Sequence, residues 1–557
     1  MEKIFLKKND IVTLAITDMA EGGEGIGRAG GYPLFVKDAV VGDTVEAVVT
    51  KAGKSYGFGR VLKVTEPSPD RAVPPCPVAA PCGGCQLQSL SYPAQLAFKE
   101  KKVREDLIRL GGFDKTLVHE KLQPILGMES PLAYRNKVQL PVGEGPDGKL
   151  TAGYYAQRSH RIVACEQCLL DNDEAFARIR DTVLTFCEEN GVRAYDETSG
   201  KGLLRHILIR HALNTGEWMV SLVVNGRSIP KRAELVRRLL EFPGMTDISL
   251  CVNTERTNVI LGTEILPLYG PGFIREKIGG LTFRLSPLSF FQVNTRQTER
   301  LYAEALRAAA LSGSETVWDL YCGTGTISLF LAQKAAKVYG VEIVAPAVEN
   351  ARRNAEDNGI TNAEFFVGKS EEVFPEAVLS GRAPAPDAVV LDPPRKGCEK
   401  VLLDAILSVA PECIVYVSCD PATLARDLKI LAAGGYALES VQPVDMFPMT
   451  THVEAIVLLS KGNISTKHIR VEFDLESMDT SGFQTGATYD EIREWVQEHY
   501  GFHVTNLNIA QAKQKHGIIE RENYNKPKSP DSRQPGCPEE KERAIEEALR
   551  YFRMIES

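Results

Sequence analysis

No run in this chain of 557 residues is apolar over the ~20 positions a membrane-crossing helix needs, and Met1 to Lys8 holds no apolar stretch of signal-peptide length. A cytoplasmic protein without a membrane partner is the expectation. There is no excess of positive charge either: 65 Lys and Arg stand against 73 Asp and Glu, a formal net charge of −8. That balance excludes a globally basic nucleic-acid binder. A local basic footprint stays open, because binding depends on the charges in contact rather than on the total. Without an export signal, the twelve cysteines do not read as a disulfide framework. In a reducing compartment they point to thiol chemistry or metal ligation.

What is present is apolar residue enough, 43%, to fill several cores, in a length that calls for three or four domains. Residues 1–68 alternate in short strands broken by glycines at Glu21 to Gly27 and at Val41-Gly42-Asp43, the rhythm of a small OB-like β-barrel and usually a binding module. The glycines of 21–27 do not lead from one apolar strand into a helix, so they read as a turn rather than a phosphate loop. Next comes a C-x5-C-x2-C loop, Cys76, Cys82 and Cys85, bent by proline and glycine so that three sulfurs can face one point. A fourth soft ligand is needed, and Cys165 and Cys168 follow about eighty residues on. Four thiolates suit zinc or an iron–sulfur cluster, and the spacing leaves both open. A helix with one charged face is predicted over 94–110, ended by Gly111-Gly112, with 94–125 docking on a neighbouring domain. The pattern from 130 to 285 is mostly strand, which makes 69–285 a central α+β domain. Positive residues in Tyr134 to Lys137 and in Leu203 to His211 are candidate phosphate contacts there.

The chemistry gathers in a Rossmann-like α/β domain over 286–462. Thr316 to Ser328 reads as a strand, a Gly323-Thr324-Gly325 turn and an apolar helix. A second strand, Lys337 to Glu342, ends in an acid about twenty residues after the first glycine, where a ribose hydroxyl pair is held. Ser328 stands where a dinucleotide fingerprint has its third glycine, so a nucleoside without pyrophosphate fits better, and S-adenosylmethionine is the commonest such ligand. A third strand, Asp387 to Leu391, delivers Asp392 and the stiff Pro393-Pro394-Arg395 loop to the same sheet edge. A fourth delivers Cys419, with Asp420 placed as N-cap and Pro421 as first helical residue. The positive helix end is expected to favour thiolate, making Cys419 a poised nucleophile.

These residues resemble the RNA 5-methyluridine methyltransferases, in particular the branch that acts on 23S ribosomal RNA and carries an N-terminal TRAM domain and an iron–sulfur cluster. The resemblance covers about residues 1–460. It rests on the cysteine loop with its distant partner, Phe290-Phe291-Gln292-Val293-Asn294, Asp319 to Gly325, Asp392-Pro393-Pro394-Arg395, Ser418 to Asp427, and His452-Val453-Glu454-Ala455. It implies a 4Fe-4S cluster on Cys76, Cys82, Cys85 and Cys168, with Cys165 a bystander. It also implies Cys419 as the nucleophile that adds to carbon 6 of uracil and Glu454 as the base that removes the carbon 5 proton. Gln292, Tyr321, Glu342 and Asp392 would hold cofactor or substrate. The implied partner is RNA, 23S before transfer RNA because the transfer-RNA branch typically lacks the barrel and the cysteine cluster, and a monomer is expected. A base inside folded RNA must turn out of its stack to reach Cys419, which suits loops rather than regular duplex. A non-catalytic RNA-binding iron–sulfur protein would not need both Cys419 and Glu454.

The resemblance stops at about 463. Residues 463–557 read as an accessory extension with helices over 489–496 and 539–549, and with a basic, tyrosine-containing run over 513–526 that has the composition of a nucleic-acid contact.

Overall fold

Alternation of inward apolar and outward polar residues closes five short strands into an N-terminal barrel. They are β1 (Ile11–Met19), β2 (Gly25–Ala29), β3 (Tyr32–Lys37), β4 (Thr44–Ala52) and β5 (Gly57–Glu66), in the order β1-β2-β3-β5-β4. Leu14, Ile16, Leu34, Val36, Val45 and Val49 fill its interior. Part of the glycine run is strand rather than turn: a Cβ on Gly27 would come within 2.6 Å of the Ala15 carbonyl oxygen, so only glycine lets β1 approach. This computed structural model describes residues 6–145, 147–462, 489–516, 538–552 and 554–555. By internal contacts the chain forms two units, Met1–Ile464 and Ser465–Ser557.

The predicted linker is two helices, α1 (Tyr92–Arg109) and α2 (Lys115–Lys121), because Gly112 adopts φ +72° and Asp114 caps a new helix by accepting from the amides of Thr116 and Leu117. The inward stripe of α1 is Gln95, Lys99, Val103, Asp106 and Leu107. One of the charges read as solvent-facing, Lys99, is therefore interior.

The central layer is a seven-stranded sheet of β6 (Lys137–Glu144), β7 (Leu150–Tyr155), β8 (Ile162–Ala164), β9 (Leu204–His211), β10 (Trp218–Val224), β11 (Met245–Val252) and β12 (Glu264–Tyr269). Its order is β12-β11-β10-β9-β6-β7-β8. Two helices, α3 (Ala175–Glu189) and α4 (Arg232–Leu239), cover it through Phe176, Ile179, Val183, Phe186, Leu235 and Leu239. Strand β9 lies in mid-sheet with every residue buried, which is why its sequence does not alternate cleanly. Its Arg205 Nη1 donates to the carbonyls of Asn253 and Glu255 at 2.8 Å each, so this cation braces a loop.

A hairpin of β13 (Ile274–Ile278) and β14 (Leu281–Leu285) leads into the α/β domain and packs in its core. That domain comprises α5 (Thr295–Ala309), β15 (Thr316–Leu320), α6 (Thr326–Ala332), β16 (Lys337–Glu342), α7 (Ala345–Asp357), β17 (Ala363–Val367), α8 (Ser370–Leu379), β18 (Ala388–Leu391), α9 (Lys400–Val409), β19 (Cys413–Ser418), α10 (Pro421–Ala433), β20 (Tyr436–Val444) and β21 (Glu454–Lys461). Its sheet runs β17-β16-β15-β18-β19-β21-β20, parallel from β17 to β19 and antiparallel through β21 and β20. The strands are near-continuous apolar runs because both faces are covered. Val317, Val338, Val390 and Val415 face one core, while Trp318, Tyr339, Val389 and Tyr416 face the other. Val103 and Leu107 of α1 join the second core.

The second unit contains α11 (Tyr489–Tyr500), α12 (Asn506–Lys515) and α13 (Glu539–Tyr551), held by a small core that includes Ile492, Val496, Ile509, Ile545 and Leu549. Most of the predicted basic run, 517–526, lies outside the described residues.

Where α1 meets the α/β domain, Lys99 forms an ion pair with Asp445, and both side chains are fully buried. Tyr92 Oη donates to the other Asp445 oxygen at 2.9 Å, and Lys99 Nζ also donates to the Phe447 carbonyl at 2.9 Å. Removing one member leaves an uncompensated buried charge, so Lys99→Met is expected to cost about 3–5 kcal/mol. Pairing it with Asp445→Leu should recover most of that loss in urea-unfolding midpoints. A double variant as unstable as the single one would show that packing, rather than the stranded charge, dominates.

Candidate active site

The order β16-β15-β18-β19 reverses between β15 and β18, and ligands of open α/β sheets bind where the order reverses, outside the carboxyl ends of the strands. A cavity of about 720 Å³ lies there, and it gathers all six predicted cofactor and catalytic residues: Gln292, Tyr321, Glu342, Asp392, Cys419 and Glu454.

At the nucleoside end, Tyr321 sits between the end of β15 and the glycine turn in a left-handed conformation, φ +85°. A non-glycine residue held there marks a constrained site. The amides of Tyr321 and Cys322 both donate to the Val341 carbonyl at 3.0 Å. Glu342 ends β16 and accepts from Gly323 N at 3.1 Å and from Val344 N at 2.9 Å, which fixes its carboxylate beside the turn. Gln292 is buried, with its carbonyl accepting from Asn136 Nδ2 at 3.0 Å.

At the other end, strand register brings two distant residues together. Ser418 pairs with Ala455 between antiparallel β19 and β21, so the next step places Cys419 opposite Glu454. Glu454 is 2% exposed, and its Oε2 has no hydrogen-bond partner. Burial, then the carboxylate of Asp392, push its carboxyl up to about 8, against the opposing pull of Arg395. Asp392 is itself pushed up to about 7 by burial and by Asp319. Asp319 rises to about 7 through burial, although the Ser328 hydroxyl donates to it.

The expected thiolate at Cys419 is not what its surroundings favour. Burial comes first, and the carboxylates of Glu454 and Asp392 add to it, pushing the thiol up to about 12. The helix end that was expected to lower it is already occupied, since Asp420 accepts from the amides of Ala422 and Thr423 at 3.1 Å. Other lining residues went unassigned by sequence reasoning. Asp319, Arg395 and His452 all stand inside the recognised motifs, and that proximity was the available signal. His452 is driven down to about 4, mainly by burial, so its ring is neutral at neutral pH. Phe290 lines the cavity yet is 69% exposed, an apolar ring at the rim.

A second, smaller cavity is lined by Cys76, Cys82, Cys85, Cys165 and Cys168 together with Arg135. The loop is seated on the sheet by Gly83 N, which donates to the Tyr155 carbonyl at 3.1 Å. Cys165 Sγ donates to the Gln167 carbonyl at 3.1 Å. Among the described residues no three His, Cys, Asp or Glu side chains converge as the ligands of one ion would.

A family model for tRNA (uracil-5-)-methyltransferases matches residues 247–462, and a TRAM domain model matches residues 6–62, the five-stranded barrel. An uncharacterised RNA methyltransferase of Clostridium acetobutylicum is 50% identical over 463 residues, which cover 83% of this chain and 99% of that protein. One from Halalkalibacterium halodurans is 48% identical over 460 residues, covering 82% of this chain and 98% of the relative. Among solved structures, the Pyrococcus abyssi tRNA (uracil-54, C5)-methyltransferase in complex with S-adenosyl-L-homocysteine superposes with a TM-score of 0.64 at 28% identity, over 80% of this chain and 100% of that one. No helix among the described residues is long and apolar enough to cross a membrane. With nearly the full length of such relatives matched and both domain models satisfied, the chain belongs to the RNA uracil-5-methyltransferase family and carries a TRAM domain.

Proposed function

We propose that this protein methylates carbon 5 of a uridine in 23S ribosomal RNA, with Cys419 as nucleophile and Glu454 as base. The observation that carries the reading is the buried, unpartnered Glu454 carboxyl facing Cys419 in one cavity with the nucleoside-type residues Tyr321 and Glu342. S-adenosylmethionine supplies an electrophilic methyl group on a cationic sulfur. Gln292, Tyr321 and Glu342 would hold it, and a positive sulfur bound in this cavity would favour the ionised forms of Asp392 and Cys419. Carbon 5 of uracil is too weak a nucleophile to take the methyl group directly. Cys419 thiolate therefore bonds to carbon 6, and the electrons displaced onto carbon 5 form the bond to methyl as S-adenosylhomocysteine departs. Glu454 then takes the carbon 5 proton, the carbon 5–carbon 6 double bond re-forms, and Cys419 leaves with its bonding pair.

The cysteine cavity favours the 23S branch, since Cys76, Cys82, Cys85 and Cys168 would hold a 4Fe-4S cluster. In a cluster each thiolate meets a different iron, so the sulfurs line a common space without converging on one point. A cluster held there would cross-link the 76–85 loop to the segment that follows β8, a bracing role that needs no electron transfer. Arg135 offers positive charge to such an anionic group. A transfer-RNA substrate is the second reading, favoured by the likeness to the Pyrococcus abyssi enzyme.

Two outcomes test the chemistry. Cys419→Ala is expected to abolish methyl transfer while leaving cofactor binding intact. Glu454→Gln should accumulate a protein–RNA adduct that survives a denaturing gel, because addition and methylation precede the step that needs the base; no adduct would remove Glu454 from that step. The base must also be ionised to act. Its carboxyl stands raised to about 8, so kcat, which includes the step that needs the base, should climb as pH rises through that value and be lost below it. A profile flat from pH ~6 to ~9 would contradict the assignment.

A further inference from the structure

Two cations meet at the edge of the main cavity, and nothing described in the protein balances them. The register of β6 with β9 pairs Lys137 with Arg210, so both side chains stand on one face of the sheet. That face is turned toward the α/β domain: Met219, the neighbour of Arg210 on β10, packs in the core that contains Phe283 and Phe291. Lys137 lines the cavity itself. Arg210 is 1% exposed, and its Nη2 donates to the Ser289 carbonyl at 2.8 Å, immediately before Phe290 at the rim. Its Nε and Nη1 have no partner at all. Among the described residues neither cation has a carboxylate against it, and burial together with Arg210 drives the Lys137 amine down to about 7. A buried guanidinium with open donors beside a half-buried ammonium is costly unless a bound group supplies the missing negative charge. The guanidinium edge and the ammonium offer the donor set that oxyanions take.

We infer that Lys137 and Arg210 form an oxyanion-binding site at the edge of the catalytic cavity. The oxyanion is supplied either by a backbone phosphate next to the target uridine or by the carboxylate of the cofactor's methionine moiety. The inference rests on the proposed reading of this cavity as the seat of cofactor and RNA. It separates Lys137 and Arg210 from the other positive residues of the same two runs, because Arg205 is engaged by loop carbonyls and Arg135 lies on the cysteine cavity.

The test compares full-length wild type with Lys137→Met and Lys137→Arg. Binding of a uridine-containing RNA hairpin is measured across a salt series, binding of S-adenosylhomocysteine by calorimetry, and the thermal midpoint alongside. Lys137→Met should weaken one of the two ligands by about tenfold or more, Lys137→Arg should restore most of it, and the midpoint should not fall, because an unpaired buried charge has been removed. A loss confined to RNA, with the slope of log K against log salt reduced by about 1, identifies a phosphate. A loss confined to S-adenosylhomocysteine identifies the carboxylate. Unchanged affinity for both ligands overturns the site and leaves the cavity's reading standing. So does weakened binding with a lowered midpoint that Lys137→Arg fails to rescue, since that marks a structural role. Wild type binding neither ligand would overturn the reading of the cavity, and the anion site with it.

Discussion

The segment from Asp445 to Val453 is the constraint on which the rest of the structure depends, and the buried Lys99–Asp445 ion pair anchors it. The central domain, the cysteine loop, α1 and α5 each add a tie. Asn294 Nδ2 donates to the Met446 carbonyl at 2.9 Å and Tyr134 Oη to the Pro448 carbonyl at 3.1 Å. The amides of Gln86 and Leu87 both donate to the Met449 carbonyl at 3.0 Å, and Met449 N donates to Gln95 Oε1 at 3.0 Å. Met449 itself is held at φ +69°, a conformation that a free loop would abandon. Each hydrogen bond contributes only about 1 kcal/mol net, but together they fix the one segment that carries Phe447, His452 and Glu454 into the cavity.

This arrangement gives the central domain and the cysteine loop a mechanical meaning. Gln86 and Leu87 follow Cys85 directly, so whatever holds the cysteine loop also holds Met449, five residues before Glu454. Linker helix, cysteine loop and α5 converge on the same stretch of backbone, and the base proposed at Glu454 would gain from such preorganisation. The electrostatics point the same way. Three carboxyls of the cavity, Asp319, Asp392 and Glu454, are raised by burial, and Cys419 is raised with them. Positive charge brought beside these groups would favour their ionised forms.

Much of the α/β domain was legible because parallel strands covered on both faces write themselves as apolar runs. Those ending at Glu342, Asp392 and Cys419 lie where the pattern puts them. The pairing of Cys419 with Glu454 was not legible by pattern. It depends on β21 inserting antiparallel between β19 and β20, and only the resemblance to a known family named both residues. Burial hid the rest. Lys99 reads as a surface charge until its partner, 346 residues away, is seen, and the positive residues of β9 read as phosphate contacts although the strand is buried along its whole length. The thiolate expected from a helix end fails because burial, then the carboxylates of Glu454 and Asp392, push the thiol up, and the Asp420 cap already occupies the helix end. Nothing local marked Lys137 and Arg210 off from their charged neighbours, since cross-strand register, not sequence distance, makes them a pair.

The central claim is most directly tested by transfer of labelled methyl from S-adenosylmethionine to purified unmodified 23S RNA and, separately, to a transfer-RNA pool, with nucleoside analysis of the products. Label recovered as 5-methyluridine in the 23S sample is the predicted result. Label confined to transfer RNA would keep the chemistry and contradict the substrate, and no 5-methyluridine in either, with the cofactor bound, would contradict the claim that this cavity is a working uridine methyltransferase.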